Sequence, residues 1–319
     1  MLLGGAAAWP LVARAQPSGA PVIGVLHSDT VGGVWFPLEA AFRQGLSDTG
    51  YAEGRNVRIE GRWAAGQYDR LPALAADLTQ RGVAAIVAFT TPAALAAKAA
   101  TATIPIVFTT ISNPVQIGLV ASLSRPGGNV TGVTLLSVEV GPKSLELLHS
   151  AVPSAKSMAL LINPRNPNAN AQSKNLQTAA QRLGLQLHVL NANAPSDFDA
   201  VFARVHELKA NALMIAQDVV FNTQAAKLAE LALRHAIPAI YPTRDFAEAG
   251  GLMSYGTDLR DAWRQVGIYA GRILKGEKPA DLPVIQASKF ELIINLKTAK
   301  TIGLTLSPDM LSIADEVIE

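Results

Sequence analysis

Short apolar runs alternate with segments of helical periodicity along most of the chain. The first apolar run, 21–27, precedes a segment, 35–50, whose apolar residues recur every three or four positions, which predicts a strand followed by an amphipathic helix. Further strands are predicted at 56–63, 84–89, 104–108, 130–134, 157–162, 186–190 and 212–215. Helical periodicity occupies 68–81, 92–102, 115–123, 142–151, 169–183, 197–208 and 223–235. Such alternation predicts a doubly wound α/β fold, with parallel sheets covered by helices on both faces.

The alternation begins again after 132–134, which divides the chain into two blocks. They hold about 110 and 100 residues, each within the usual size of one domain. The remaining tail has a strand-like run at 239–241, a long helical segment at 259–274, a Gly- and Pro-rich linker and a last strand at 290–294. Because these pieces are too short for a third domain, we expect them to add edges to both lobes. The chain should then cross between the lobes more than once, which produces a hinge and a cleft.

The first twenty residues differ from the rest of the chain. An apolar run, 2–12, leads into Ala13-Arg14-Ala15, which has the small-x-small form of a signal-peptidase site. The run is shorter than the roughly 20 residues that cross a bilayer. We therefore expect 1–20 to be a signal peptide and leader whose basic start lies upstream of Met1, and a mature protein that begins at Gln16 outside the cytoplasmic membrane.

The composition excludes several classes of function. The 319 residues include no cysteine, which removes disulfide frameworks, thiolate nucleophiles and Cys-ligated metal sites. A formal net charge of +2 provides no broad basic surface, so we expect no nucleic-acid partner. No phosphate-binding or dinucleotide-binding glycine motif is present, and the five histidines are far apart in the sequence. We therefore expect no metal, no cofactor and no enzymatic activity.

The most informative residues are polar ones that follow four of the predicted strands. In doubly wound sheets, ligands bind outside the carboxyl ends of the strands, where helix N-termini present free N–H groups. Each of these residues could be an ordinary helix cap, but their recurrence in both blocks favours a shared cleft. The candidate ligand-binding residues at these strand ends are Thr90, Thr91, Ser112, Asn113, Asn163, Asn166, Asn168 and Asp218.

This arrangement suits a small anionic or zwitterionic ligand. Its carboxylate would accept N–H bonds at Thr91 and Asn113. Asp218 would be the counter-charge for an ammonium group, or else the cap of the helix that follows it. Tyr255 is the preferred aromatic contact for a flat ligand, and Ser28 is a weaker polar candidate.

Many separate segments, in order, resemble one known family. They include AFRQGLSDTGYAEGRNVRIEGRW, TPAALAAKAATATIPIVF, NPVQIGLVASLSRPGGNVTGVT, NPRNPNA, EAGGLMSYGTDL and FELIINLKTAKTIGL. The chain resembles the tryptophan/tyrosine-type substrate-binding proteins of ABC transporters over nearly its whole length. The resemblance implies a type I periplasmic binding protein fold, with two Rossmann-like lobes and a three-crossover hinge. It also implies that the cleft-facing loops contain the candidate residues named above, and that the leader is the end of a twin-arginine export signal.

We therefore expect the periplasmic solute-binding component of an ABC importer. The predicted lobes comprise 21–136 with 239–276, and 137–238 with 277–319. The expected ligand is an aromatic or apolar amino acid or a related carboxylic acid. The expected partners are a permease and an ATPase encoded separately, with membrane contact only through the permease. A ligand-sensing module for a receptor, or an enzyme on the same scaffold, would be the alternative.

Overall fold

A computed structural model describes residues 19–32 and 36–319. The predicted signal peptidase site lies outside these residues. The strands are β1 (Val22–His27), β2 (Arg58–Trp63), β3 (Ala85–Phe89), β4 (Ile106–Thr110), β5 (Val130–Thr134), β6 (Ser157–Ile162), β7 (Gln186–Asn191), β8 (Leu213–Ile215), β9 (Ala239–Tyr241), β10 (Met253–Thr257), β11 (Ile285–Gln286), β12 (Phe290–Asn295) and β13 (Glu316–Ile318).

Helices separate most of these strands, as the periodicity predicts. They are α1 (Phe36–Asp48), α2 (Leu71–Gln80), α3 (Thr91–Ala100), α4 (Ser137–Ala151), α5 (Ala169–Arg182), α6 (Phe198–Glu207), α7 (Val219–Asn222), α8 (Ala225–Arg234), α9 (Arg244–Glu248), α10 (Leu259–Leu274), α11 (Leu296–Thr301) and α12 (Pro308–Ser312). The predicted helix at 115–123 is wrong, because the chain forms hydrogen-bonded turns there. Gly118 has a φ of 72° in the middle of this stretch, so a right-handed helix cannot continue through it.

The strands form two sheets, one in each lobe. The first has the order β11-β5-β4-β3-β1-β2 and is parallel throughout. The second has the order β13-β12-β10-β9-β8-β6-β7, with the β10–β12 pair antiparallel. Buried apolar side chains pack between the helices and both faces of each sheet. The predicted two-lobed α/β fold with parallel sheets is confirmed.

The chain passes between the two sheets three times. These passages lie between β5 and β6, between β10 and β11, and between β11 and β12. The predicted lobe boundaries are wrong in two places, since 239–257 contributes β9 and β10 to the second sheet and 285–286 contributes β11 to the first. The strand β11 has two residues and pairs with β5, far earlier in the sequence, so local periodicity carries no signal for its pairing. The strands β9 and β10 instead follow β8 in both the sequence and the sheet, and so continue the alternation of the second block.

A close helix crossing fixes α10 against α1 in the first lobe. Gly45 and Gly267 meet at this crossing, where a Cβ on Gly45 would lie 1.9 Å from the carbonyl oxygen of Arg264. A Cβ on Gly267 would lie 2.1 Å from the carbonyl oxygen of Phe42. Two glycines therefore allow the helix backbones to touch, and α10 delivers Trp263 to the edge of the interlobe cleft. None of the helices in the described part of the chain combines the length and apolar character needed to cross a membrane.

Candidate functional site

The carboxyl ends of both sheets border a cavity between the lobes. The cavity and the open solvent at its mouth together occupy about 500 Å³. The predicted residues Thr90, Thr91, Asn166, Asn168 and Asp218 all line it. The structure therefore brings together strand ends from both lobes, as the recurrence of polar residues predicted.

Thr90 has a strained backbone at the end of β3. Its φ of 96° and ψ of 153° lie in a region that a β-branched residue rarely adopts. The Thr90 N–H donates to Thr109 Oγ1 at 3.1 Å, and Thr90 Oγ1 lies 2.6 Å from Ser28 Oγ. Ser28 therefore supports the cleft wall through Thr90. Backbone strain that the surroundings hold in place is typical of binding and active sites.

The N-terminus of α3 adjoins this strained residue. Thr91 is the first residue of the helix, and its Oγ1 lies 2.7 Å from Thr110 Oγ1 on the neighbouring strand β4. Thr91 Oγ1 also accepts the N–H of Ile111 at 3.3 Å, which fixes the loop after β4. The first-turn N–H groups of a helix lack intrahelical acceptors and carry the positive end of the helix dipole. This corner of the cavity can therefore bind an anion such as a carboxylate.

Asp218 is a hydrogen-bonded junction between the lobes. Its Oδ1 accepts from Asn163 Nδ2 at 3.0 Å and from the Val220 N–H at 2.9 Å, so Asp218 caps α7. Its Oδ2 accepts from Asn166 Nδ2 and from Tyr68 Oη, both at 2.7 Å. Burial, followed by the negative charge of Asp218, raises the pKa of Tyr68 well above its usual range, so the phenol remains a donor. Four protein donors therefore surround the carboxylate that was expected to bind an ammonium group.

The asparagine loop after β6 is ordered by its own backbone and makes a second link between the lobes. Asn163 Oδ1 accepts the Arg165 N–H at 3.0 Å, and Asn166 Oδ1 accepts the Asn168 N–H at 2.9 Å. Asn168 Oδ1 in turn accepts a 2.6 Å hydrogen bond from Ser112 Oγ of the first lobe. Ser112 and Asn168 are both buried, so this bond is shielded from water.

An aromatic wall borders the cavity on the side of the first lobe. Trp263 of α10 stacks on Phe89, with ring centroids 3.6 Å apart and planes 9° apart, and His27 packs against both rings. Burial lowers the pKa of His27 to about 3, so this imidazole is neutral near physiological pH. Sequence reasoning missed Tyr68 and all three of these residues. Phe89 ends a predicted strand, but nothing in the periodicity of α10 distinguishes Trp263 from an ordinary core residue.

Five predicted site residues do not line this cavity. Three of them hydrogen-bond to residues that do, namely Ser28, Ser112 and Asn163, and the other two lie elsewhere. Asn113 is half-buried, and its Oδ1 accepts the N–H groups of Val115 and Gln116 at 3.0 and 3.3 Å, so it caps a turn rather than lining the cleft. Tyr255 lines a different cavity in the second lobe, where its ring packs 6.2 Å from that of Phe290. Both placements contradict the contacts expected from the sequence, since each residue is used locally.

Two doubly wound lobes, three connecting passages and a polar cleft at the strand ends define a two-lobed solute-binding protein of the type I periplasmic class. Within this class, the chain belongs to the family of ABC transporter substrate-binding proteins, whose pattern matches residues 38–318. Members of this family are solute-binding proteins that act outside the cytoplasm. No group of three or more potential metal ligands occurs among residues 19–32 and 36–319.

The chain is similar to several characterised or solved proteins. It is 28% identical to a tyrosine-binding protein of Clostridioides difficile over 264 residues, which cover 82% of this chain and 75% of that protein. A conserved domain protein of Vibrio cholerae is 28% identical with a TM-score of 0.85, covering 93% of this chain and 99% of the other. A Streptococcus pneumonia ABC domain in complex with L-Trp is 25% identical with a TM-score of 0.84, covering 94% of this chain and all of the other.

The arrangement of the lobes resembles the ligand-bound relative more than an open one. A ligand-free, open substrate-binding protein with adhesive properties from Clostridium difficile is also 25% identical, covering 94% of this chain and 99% of the other. Its TM-score is 0.66, against 0.84 for the complex with L-Trp. The hydrogen bonds from Tyr68 to Asp218 and from Ser112 to Asn168 join the two lobes directly.

Proposed function

We propose that this protein captures an aromatic amino acid, tyrosine or tryptophan, for an ABC importer, and that it binds this solute without transforming it. The observation that carries the proposal is the pairing, in one interlobe cavity, of a helix N-terminus with a stacked aromatic wall. The relatives named for tyrosine binding and for a complex with L-Trp support the same ligand class.

In this proposal the ligand carboxylate binds at the first turn of α3, beside Thr90 and Thr91. The helix dipole and the free N–H groups favour a negative charge there. The aromatic side chain packs against Trp263 and Phe89, since aromatic pairs gain stability beyond the area they bury. Contacts from both lobes then favour the closed form over the open one.

Thermal unfolding of the purified protein tests the ligand class. The compounds are tyrosine, tryptophan, leucine, 3-(4-hydroxyphenyl)propionate, a purine and a sugar. A ligand at about 100 times its dissociation constant adds roughly 2.7 kcal/mol to the free energy of unfolding, which raises the midpoint by several degrees. We expect the largest shifts with tyrosine or tryptophan, and recovery of the unaltered compound by mass spectrometry. A shift only with leucine, the purine or the sugar would refute the proposed ligand class.

Delivery to the membrane follows from the family role. We propose a separately encoded permease and ATPase as partners, and a periplasmic location reached through a twin-arginine-type signal that includes 2–15. Amino-terminal sequencing of the exported protein tests this route, with Gln16 expected as the first residue. An exported chain that retains 2–15 would contradict cleavage after Ala15.

A further inference from the structure

Asp29 is a buried carboxylate that follows β1, and one of its oxygens has no partner among residues 19–32 and 36–319. The residue is 1% exposed. Its Oδ1 accepts the Thr30 N–H at 2.6 Å and a hydrogen bond from Thr30 Oγ1 at 3.2 Å, whereas no described residue donates to its buried Oδ2. Burial raises the pKa of Asp29, against the opposing effect of the bonds from Thr30. A buried polar atom without a partner is uncommon and costs stability, so it calls for a donor from outside the chain.

The backbone around Asp29 is fixed, which makes the carboxylate part of a preformed wall. The Asp29 N–H donates to His27 Nδ1 at 2.8 Å, and its carbonyl oxygen accepts the Ala65 N–H at 3.0 Å. The neighbouring residue, Ser28, accepts the Gly66 N–H at 2.7 Å through its carbonyl oxygen. Bonds on both sides of the peptide therefore hold Asp29 at the end of the sheet.

Asp29 lines a space that adjoins the interlobe cavity. This space, with the open solvent at its mouth, occupies about 880 Å³, and His27, Phe89 and Trp263 line both it and the interlobe cavity. Asp29 also lines the outer opening between the lobes. The negative charge of Asp29 contributes to the raised pKa of Tyr68, which places it near the interlobe bond to Asp218.

Among the described residues that line this space, the cationic side chain is that of Arg43, and carboxylates already neutralise it. Arg43 bonds to Glu39 at 3.0 Å and to Glu53 at 2.8 Å. Among the described residues, no ion pair involves Asp29. Asp218 differs, because four protein donors surround it. Of these two buried carboxylates, Asp29 is therefore the one with capacity for a ligand cation.

We propose that Asp29 binds the ammonium group of the ligand and makes the site selective for amines over the corresponding carboxylic acids. This inference rests on the proposed function. It gives a partner to the ammonium group, which the positive end of the α3 dipole does not attract. The strands β1 and β3 are adjacent, and Ser28 Oγ lies 2.6 Å from Thr90 Oγ1, so the residues that follow the two strands lie about one strand spacing apart. A single α-amino acid, whose ammonium and carboxylate are attached to one carbon, could then contact both Thr90 and Asp29.

Isothermal titration of two ligands that differ only in the amine tests the assignment. The ligands are tyrosine and 3-(4-hydroxyphenyl)propionate, and the variants are Asp29→Asn and the matched control Asp69→Asn, an exposed aspartate of the same lobe. Loss of a buried charge partner typically weakens binding by about 30-fold or more. We expect Asp29→Asn to lose tyrosine affinity to this extent, to bind the propionate at least as well as wild type, and so to lose its selectivity. Asp69→Asn should behave as wild type.

The outcomes separate the inference from the proposed function. If Asp29→Asn binds tyrosine as tightly as wild type, the role of Asp29 is refuted while the proposed function stands. The same follows if Asp29→Asn loses affinity for tyrosine and the propionate equally. A wild-type protein that binds the propionate but not tyrosine would also refute that role while leaving solute binding intact. A wild-type protein that binds neither compound, and does not bind tryptophan, would refute the proposed ligand class itself. Thermal unfolding without ligand checks folding, since the substitution Asp29→Asn removes a buried charge and should leave the midpoint equal or higher.

Discussion

The hydrogen bond from Tyr68 Oη to Asp218 Oδ2 offers a direct test of how the cleft closes. It joins residues of opposite lobes that lie 150 positions apart in the sequence, at 2.7 Å and largely shielded from water. The substitution Tyr68→Phe removes the hydroxyl and keeps the ring. Opening of the lobes would break the same bond in the wild-type protein, so the substitution should destabilise the closed form selectively.

The expected size follows from the chemistry of the bond. A hydrogen bond to a charged group contributes about 1.5–3 kcal/mol. For a protein that is mostly open without ligand, the whole of this loss appears in the binding free energy, which corresponds to about a 10- to 150-fold weaker dissociation constant. Asp218 would retain its three other donors, from Asn163, Asn166 and the Val220 N–H, so the second lobe should remain folded.

Titration calorimetry with tyrosine and small-angle X-ray scattering measure the two sides of this equilibrium. Tyr68→Phe should bind more weakly and, at a tyrosine concentration near the wild-type dissociation constant, should have a larger radius of gyration than wild type, because less of it is closed. Tyr51→Phe, at a half-buried position of the first lobe, is the matched control and should change neither quantity. A dissociation constant for Tyr68→Phe within about twofold of wild type, with unchanged scattering, would refute the idea that this bond stabilises closure.

Two further substitutions test other parts of the structure. Gly45→Ala should lower the free energy of unfolding by about 1–3 kcal/mol or more, because its Cβ would collide with the carbonyl oxygen of Arg264. Denaturant unfolding measures this change. The control is Gly141→Ala, whose Cβ would have its nearest neighbour at 3.4 Å and which should not be destabilised. Asn113→Ala should lower the free energy of unfolding by about 1 kcal/mol through the lost turn cap and leave tyrosine affinity unchanged. A large loss of affinity in calorimetry would show that Asn113 contacts the ligand after all.

The sequence predicted much of the fold because its signals are local. The alternation of apolar runs and helical periodicity located β1 to β8 and most of their helices close to the observed bounds. Polar residues after the strands predicted the cleft for the same reason, since parallel strands all end at the same edge of a sheet. The predicted helix at 115–123 is absent because Gly118 adopts a left-handed φ, a conformation that the residue type permits but the sequence does not reveal.

The individual roles in the cleft required contacts between distant parts of the chain. Asp218 was expected to be either a counter-charge or a helix cap, and the structure shows that it is a cap that also accepts a bond from the other lobe. Asp29 follows β1 directly beside the candidate Ser28, yet its free oxygen could not be inferred from the sequence. Whether a carboxylate is satisfied depends on which donors surround it, and periodicity does not report that.

The sequence by itself therefore determined the strand–helix alternation, the two lobes and the edge of each sheet that borders the interlobe cavity. Only the tertiary structure decided that β11 joins the first sheet, that Trp263 reaches the cleft from α10, and that Tyr68 meets Asp218. The physical reason is that periodicity follows from the geometry of consecutive residues. Pairing of short strands and saturation of a buried carboxylate depend instead on groups that the fold brings together from far along the chain.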